Sequence, residues 1–171
     1  MKKLLLLFAF ISFSALGYAQ LNAGLAFIYG SEIEQFGIAA KGQYNGIAEN
    51  IDGSVGLHFF FPDKVSGFGG EVKSSLFTIN LDGHYNVEAG ESFDVFGLAG
   101  LNIASITVKV DSSNPFIGSG KESDTKIGLN IGGGASTAIN EKLKGFGEIK
   151  YVISDFDQLV VAFGVLMAFG E

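Results

Sequence analysis

The chain has 171 residues, a formal net charge of −7, no cysteine and no tryptophan, and its 11 basic residues are all lysine. Without cysteine it cannot be a disulfide scaffold, and without arginine it lacks the bidentate fork that reads phosphate and nucleic acid, so no nucleic-acid partner is expected. With 17 Phe, 5 Tyr and 25 Gly against 2 Pro, and no apolar run after the N-terminal segment long enough for a membrane helix, the composition points to β structure.

Lys2 and Lys3 form a basic start, Leu4 to Leu16 is an apolar run, and Gly17-Tyr18-Ala19 places small residues at the −3 and −1 positions. The pattern predicts a signal peptide over 1–19, with cleavage after Ala19. The run is shorter than the roughly 20 residues a spanning helix needs. Losing Lys2 and Lys3 moves the formal charge from −7 to −9. The remainder, 20–171, carries no linker, repeat or low-complexity tail and reads as one domain.

Eight segments then alternate with period two, the mark of a strand. In the first, about Leu21–Gly30, Leu21, Ala23, Leu25, Phe27 and Tyr29 share a face. The second, about Gln35–Asn45, sets Phe36, Ile38, Ala40 and Tyr44 against Gln35, Gly37, Lys41 and Gln43. The third, about Ile51–Phe61, opposes Ile51, Val55, Leu57 and Phe59 to Asp52, Ser54, Gly56 and His58. Pro62–Glu71 reads as a long loop. The fourth, about Val72–Val87, places Phe77, Ile79, Leu81 and Tyr85 opposite Thr78, Asn80, Asp82 and His84. After a tight turn at Glu88–Ser92 comes the fifth, about Phe93–Lys109, then a second long loop at Asp111–Asp124. The sixth, about Thr125–Asn140, sets Ile127, Leu129 and Ile131 against Lys126, Asn130 and several glycines. The last two, Leu143–Ile153 and Leu159–Phe169, make a hairpin with one apolar face and a second face of small residues and isolated charges.

Short breaks thus alternate with long ones, as in barrels with short turns at one membrane face and longer loops at the other. Backbone amides in hydrocarbon all need partners, so the sheet must close, first strand to last. The predicted fold is all-β: an eight-stranded antiparallel up-and-down transmembrane β-barrel. Eight strands leave an interior just wide enough for side chains. The expected lumen set is Lys41, Gln43, Asp52, His58, Asn80, Asp82, His84, Asn102, Lys126, Asn130, Glu148 and Lys150, with Lys126 as the partner expected for Glu148. The expected lipid-facing set is Phe36, Ile38, Leu57, Phe59, Phe77, Ile79, Leu129, Ile149, Val161 and Phe163.

The stretch Phe146-Gly147-Glu148-Ile149-Lys150-Tyr151 and the ending Ala162 to Phe169 carry a family resemblance. The chain resembles the small eight-stranded outer-membrane barrel proteins of Gram-negative bacteria, the OmpX-like or porin-family barrels common in Bacteroidetes. Gly164, Met167 and Phe169 resemble the terminal signal read by the barrel-assembly machinery, although Ala162 stands where a polar residue is usual. The resemblance implies a non-enzymatic integral protein of the cell outer membrane, contacting its lipid and serving envelope integrity or surface interaction. Loops 62–71 and 111–124 are where an extracellular partner would bind.

The reactive side chains fall into no catalytic pattern. His58 and His84 are the only histidines, and neither lies in the His-x-Ser pattern of the barrel lipid A deacylases. Asp155 with Asp157, and Asp111, Glu122 and Asp124, lack calcium-loop spacing, so solvated loop charge is the better reading. Gly67–Gly70 makes no phosphate-binding fingerprint. No catalytic, cofactor or metal residue is therefore assigned, and no cofactor is expected. The competing reading is a secreted lipocalin-like barrel holding a small apolar ligand. It needs the apolar faces inward and the charges outward, and alternation alone does not choose between them.

Overall fold

The alternating segments form strands whose ladders close on themselves. The computed structural model describes residues 21–67, 70–90, 93–112, 120–155 and 157–169. It contains β1 (Leu21–Gly30), β2 (Gln35–Ala48), β3 (Ile51–Phe60), β4 (Asp63–Gly67), β5 (Gly70–Gly90), β6 (Phe93–Ser112), β7 (Gly120–Ala138), β8 (Leu143–Ile153) and β9 (Gln158–Phe169). The expected signal segment, the centre of the second long loop and the end Gly170–Glu171 lie outside the described residues.

Every ladder is antiparallel, and the order runs β3-β2-β1-β9-β8-β7-β6-β5-β4 with β3 also paired to β5. The barrel wall therefore has eight staves, since β4 continues the line of β3 beyond Pro62 and pairs with the same neighbour, β5. Proline has no amide hydrogen for a ladder and interrupts the stave there. The expected seam is present: Leu21 faces Phe169 and Gly30 faces Val160.

Local turn chemistry supports the short-turn end. Ala48 pairs with Ile51 around a two-residue turn in which Asn50 takes φ 59°, a left-handed conformation that asparagine tolerates. Just before it the β2–β3 register slips between Tyr44 and Ala48. Gly46, at φ 70°, sits in that slip and donates its amide to Asp52 Oδ1 at 2.7 Å.

Where the expected strands and the structure differ, the strands are longer. β5, β6 and β7 run to 21, 20 and 19 residues. Pro62–Glu71 and the described parts of Asp111–Asp124, expected as loops, contain ladder: Lys64 pairs with Lys73, Glu71 with Asp111, and Glu122 with Val108. These hairpins rise beyond the rest of the wall, where β7 has no β8 partner before Leu129.

The faces are assigned by burial. Phe27 is 75 % exposed, Phe36 67 %, Ile127 72 % and Phe163 65 %, while Lys150 and His84 are almost fully buried. The expected outward residues Ile38, Leu57, Phe59, Leu129 and Ile149 are exposed as well. A continuous apolar belt of this size is not tolerated by water and marks a lipid-facing surface. It is the reverse of what the lipocalin-like reading needs.

Candidate functional site

Because side chains alternate, the even residues of β3, β5, β6, β7, β8 and β9 and the odd residues of β2 point into the barrel. They form layers. Near the long-hairpin end Ile28, Phe60, Leu76, Ala104, Val152 and Val160 pack into an apolar plug, with Ile33 and Ile106 against it. Periodicity offers no reason to separate this layer from the polar residues on the same faces, since the period is identical.

The middle layer is polar and continuous. Glu148 accepts from Lys41 and lies 3.2 Å from Lys150, and Lys150 donates to Asp82 at 3.0 Å. Asn130 Nδ2 donates to Asp82 Oδ1 at 2.6 Å and to Asn80 Oδ1 at 3.0 Å. Asn80 Oδ1 also accepts from Asn102 at 2.8 Å, and Asn80 donates to Thr78 at 3.1 Å. Glycines make the room: Gly132 and Gly134 stand opposite Lys150 and Glu148 in the β7–β8 ladder, and Gly100 stands opposite Asp82. Buried charges are tolerable only when paired and hydrogen-bonded, which this chain of contacts achieves. Lys41 also lies 4.8 Å from the centre of the Phe146 ring, a cation–π contact.

Two expectations are corrected by these contacts. Lys126 is not a lumen residue with Glu148 as partner; it is half-exposed at the outer rim, 3.2 Å from Asp124 and 3.5 Å from Asp155. Glu148 and Lys150, expected to look elsewhere for partners, meet each other as well as Lys41 and Asp82. The cause is depth: Lys126 lies four residues from Asn130 along β7, above the polar layer.

One histidine does meet a hydroxyl, since Ser54 Oγ lies 3.1 Å from His84 Nε2. A nucleophile–base pair also needs an orienting acid and a place for substrate. His84 instead stacks on Phe96 at 4.6 Å, nearly parallel, and both Ser54 and His84 are buried. Asp82, the nearby acid, is engaged by Lys150 and Asn130. His58 is buried edge-on to Phe60. Among the described residues no cluster of three or more His, Asp or Glu side chains could hold a metal ion.

At the short-turn end lies an open cavity of about 200 Å³, lined by Asn22, Gln43, Asp52, Asn86, Lys144 and Phe96 among others. Its carboxylate Asp52 is already satisfied, accepting from Gln43 at 3.1 Å, from Asn86 at 2.8 Å and from the Gly46 amide. The interior thus reads as a scaffold of mutual contacts. The exposed chemistry lies on the hairpins at the other end.

Comparison with known proteins agrees with this geometry. Residues 4–169 match the family model described as outer membrane protein beta-barrel domain. No curated protein matches the sequence. Among solved structures, a major outer membrane protein from Thermus thermophilus is similar with a TM-score of 0.71 at 13 % identity, over 87 % of this chain and 99 % of that one. The N-terminal β-barrel domain of Pseudomonas aeruginosa OprF has a TM-score of 0.65 at 13 % identity, covering 88 % and 98 %. Neisserial surface protein A has a TM-score of 0.60 at 16 % identity, covering 87 % and 96 %.

Proposed function

The chain belongs to the outer membrane protein β-barrel domain family, and from that premise we propose that it is a non-enzymatic integral protein of the outer membrane with a filled lumen. Its role is to hold the β4–β5 and β6–β7 hairpins beyond the membrane for envelope integrity or surface interaction. Short turns then face the periplasm, and segments 62–71 and 111–124 face outward to meet an extracellular partner. Gly164, Met167 and Phe169 on β9 serve as the signal to the barrel-assembly machinery.

One observation carries this reading: the Lys41–Glu148–Lys150–Asp82 chain crosses the interior beneath an apolar plug, within a wall whose outer face is apolar. Ions committed to each other leave the described interior without a water-filled path and without an unpaired buried charge. The test is reconstitution of the full chain into phospholipid vesicles. The protein is expected to resist extraction by urea and to leave the vesicles tight to sugars. Release by urea would remove the membrane reading; sugar efflux would remove the filled lumen. A fluorophosphonate probe is expected to leave Ser54 unlabelled, and stoichiometric labelling there would make the protein an enzyme.

A further inference from the structure

Four lysines on four neighbouring strands stand in one row. Lys64 pairs with Lys73, Lys73 with Lys109, and Lys109 with Lys121. Cross-strand partners share a face, and strand spacing is about 4.8 Å, so the row spans roughly 14 Å. Its face is the outward one: Lys73 keeps the parity of Leu81 and Tyr85 on β5, Lys109 that of Leu101 on β6, and Lys121 that of Ile127 on β7, all of which are exposed. The row therefore continues the lipid-facing surface beyond the membrane. Four of the chain's 11 lysines are collected there, in a protein of net charge −7.

The surroundings are graded toward the bilayer. Directly below the lysines runs a row of hydroxyls, Ser75 opposite Thr107 opposite Ser123, in which Thr107 and Ser123 bond at 2.9 Å. Below that the outward row is Phe77, Ser105 and Thr125, and the next row down, Ile79, Ile103 and Ile127, is apolar throughout. Lys73 is four residues beyond Phe77 and six beyond Ile79, which at about 3.3 Å per residue and a tilt near 40° lifts the row roughly 10–15 Å above the apolar belt. The headgroup layer occupies roughly the first 5–8 Å above the hydrocarbon, within reach of lysine stems that bend down toward it. Like charges placed directly opposite across a ladder repel, so three such contacts in succession disfavour the free sheet. Glu71, 3.6 Å from Lys73, offsets one of them. A multivalent anion lying along the row adds to that relief.

We propose that the row Lys64–Lys73–Lys109–Lys121 binds the phosphate groups of outer-leaflet lipid, with the Ser75, Thr107 and Ser123 hydroxyls beneath it as additional donors. The site clamps the raised hairpins to the leaflet and so fixes how they stand above it. Lipid is the occupant because the row faces away from the barrel axis just above the headgroup layer, with donor hydroxyls rather than open solvent between it and the leaflet. This proposal rests on the membrane reading above.

The test uses the full chain in phosphatidylcholine nanodiscs containing lipid A, or lipid A stripped of its phosphates, and measures the glycolipid retained per barrel after detergent extraction and purification. Wild type is expected to retain the phosphorylated form about tenfold better. Lys73→Gln/Lys109→Gln/Lys121→Gln should lose that preference, the three corresponding arginine substitutions should keep it, and Lys142→Gln/Lys144→Gln at the opposite end should be unaffected. Folding of each variant is read from the shift of gel mobility on boiling. Equal retention of both glycolipids by wild type, or an undiminished preference in the glutamine variant, overturns the proposal. Displacement of the glycolipid by inorganic pyrophosphate overturns the lipid assignment. Failure of the folded wild type to enter nanodiscs overturns the membrane reading itself, a result distinct from insertion without preference.

Discussion

Lys150 and Asp82 meet across the barrel interior, Nζ to Oδ2 at 3.0 Å, although two other strands separate β8 from β5 in the wall. From the same strand Glu148 reaches the opposite way to Lys41 on β2. Backbone ladders join only neighbouring staves. These side chains join three staves that never touch, and so resist flattening of the barrel in a way the ladders cannot.

Removing Glu148 should therefore be costly. Glu148→Ala leaves Lys41 buried with no carboxylate, and breaking one member of a buried pair costs about 3–5 kcal/mol. Ile149→Ala loses only contact with lipid and should cost much less. The temperature at which the boiled-form gel mobility appears measures both. Equal losses would mean that inside and outside have been reversed.

Charge on the outer face should be penalised by depth. Leu101→Lys, in the apolar belt, is expected to cost about 2–4 kcal/mol, whereas Thr125→Lys at the outer rim should cost about 0–1 kcal/mol. Equilibrium unfolding by denaturant in phospholipid vesicles compares them. A similar penalty at both positions would argue against the assigned rim.

Two glycines should respond oppositely to one methyl group. At Gly132 a Cβ would collide with the Ile149 carbonyl oxygen and lie 2.6 Å from Lys150 Cα, so Gly132→Ala should destabilise by about 1–3 kcal/mol. At Gly97 nothing lies within 4 Å of the same atom, and Gly97→Ala should change stability by less than about 0.5 kcal/mol. The same unfolding assay distinguishes them.

The raised hairpin should be dispensable for folding. Ile106 and Asp124 are paired, so residues 107–123 can be replaced by an Asn-Gly turn that joins them directly. The shortened chain is expected to insert and to keep its heat-dependent mobility while losing retention of phosphorylated glycolipid. Loss of folding would show that the hairpin helps to hold the barrel.

Much of the wall was legible because lipid and lumen impose opposite chemistry on alternate residues: Phe36 beside Gly37, Ile149 beside Glu148 and Lys150. That contrast ends where both faces meet water. Asp63-Lys64 and Lys121-Glu122-Ser123-Asp124 carry no such alternation, so β4, the first residues of β5 and the outer end of β7 read as loop. The lysine row was hidden for the same reason, since its members are far apart in sequence and meet only through three registers. Luminal pairing was hidden by geometry. Which charge meets Glu148 depends on the stagger between staves, and Lys41 is 107 positions away from it. Apolar plug residues such as Phe60 and Val152 share the parity of His58 and Lys150, so period alone could not separate the layers.

The seam between β1 and β9 has a consequence in time. A ribosome releases Leu21 early and Phe169 late, yet each is the other's ladder partner. Throughout synthesis and export the strand that emerges first keeps an unsatisfied edge, and nothing in between can satisfy it without displacing its native mate. Such an edge is a template for aggregation. Among the described residues the longest-range ladder pair is thus the one that completes the barrel, and every earlier state needs a temporary companion for its edge.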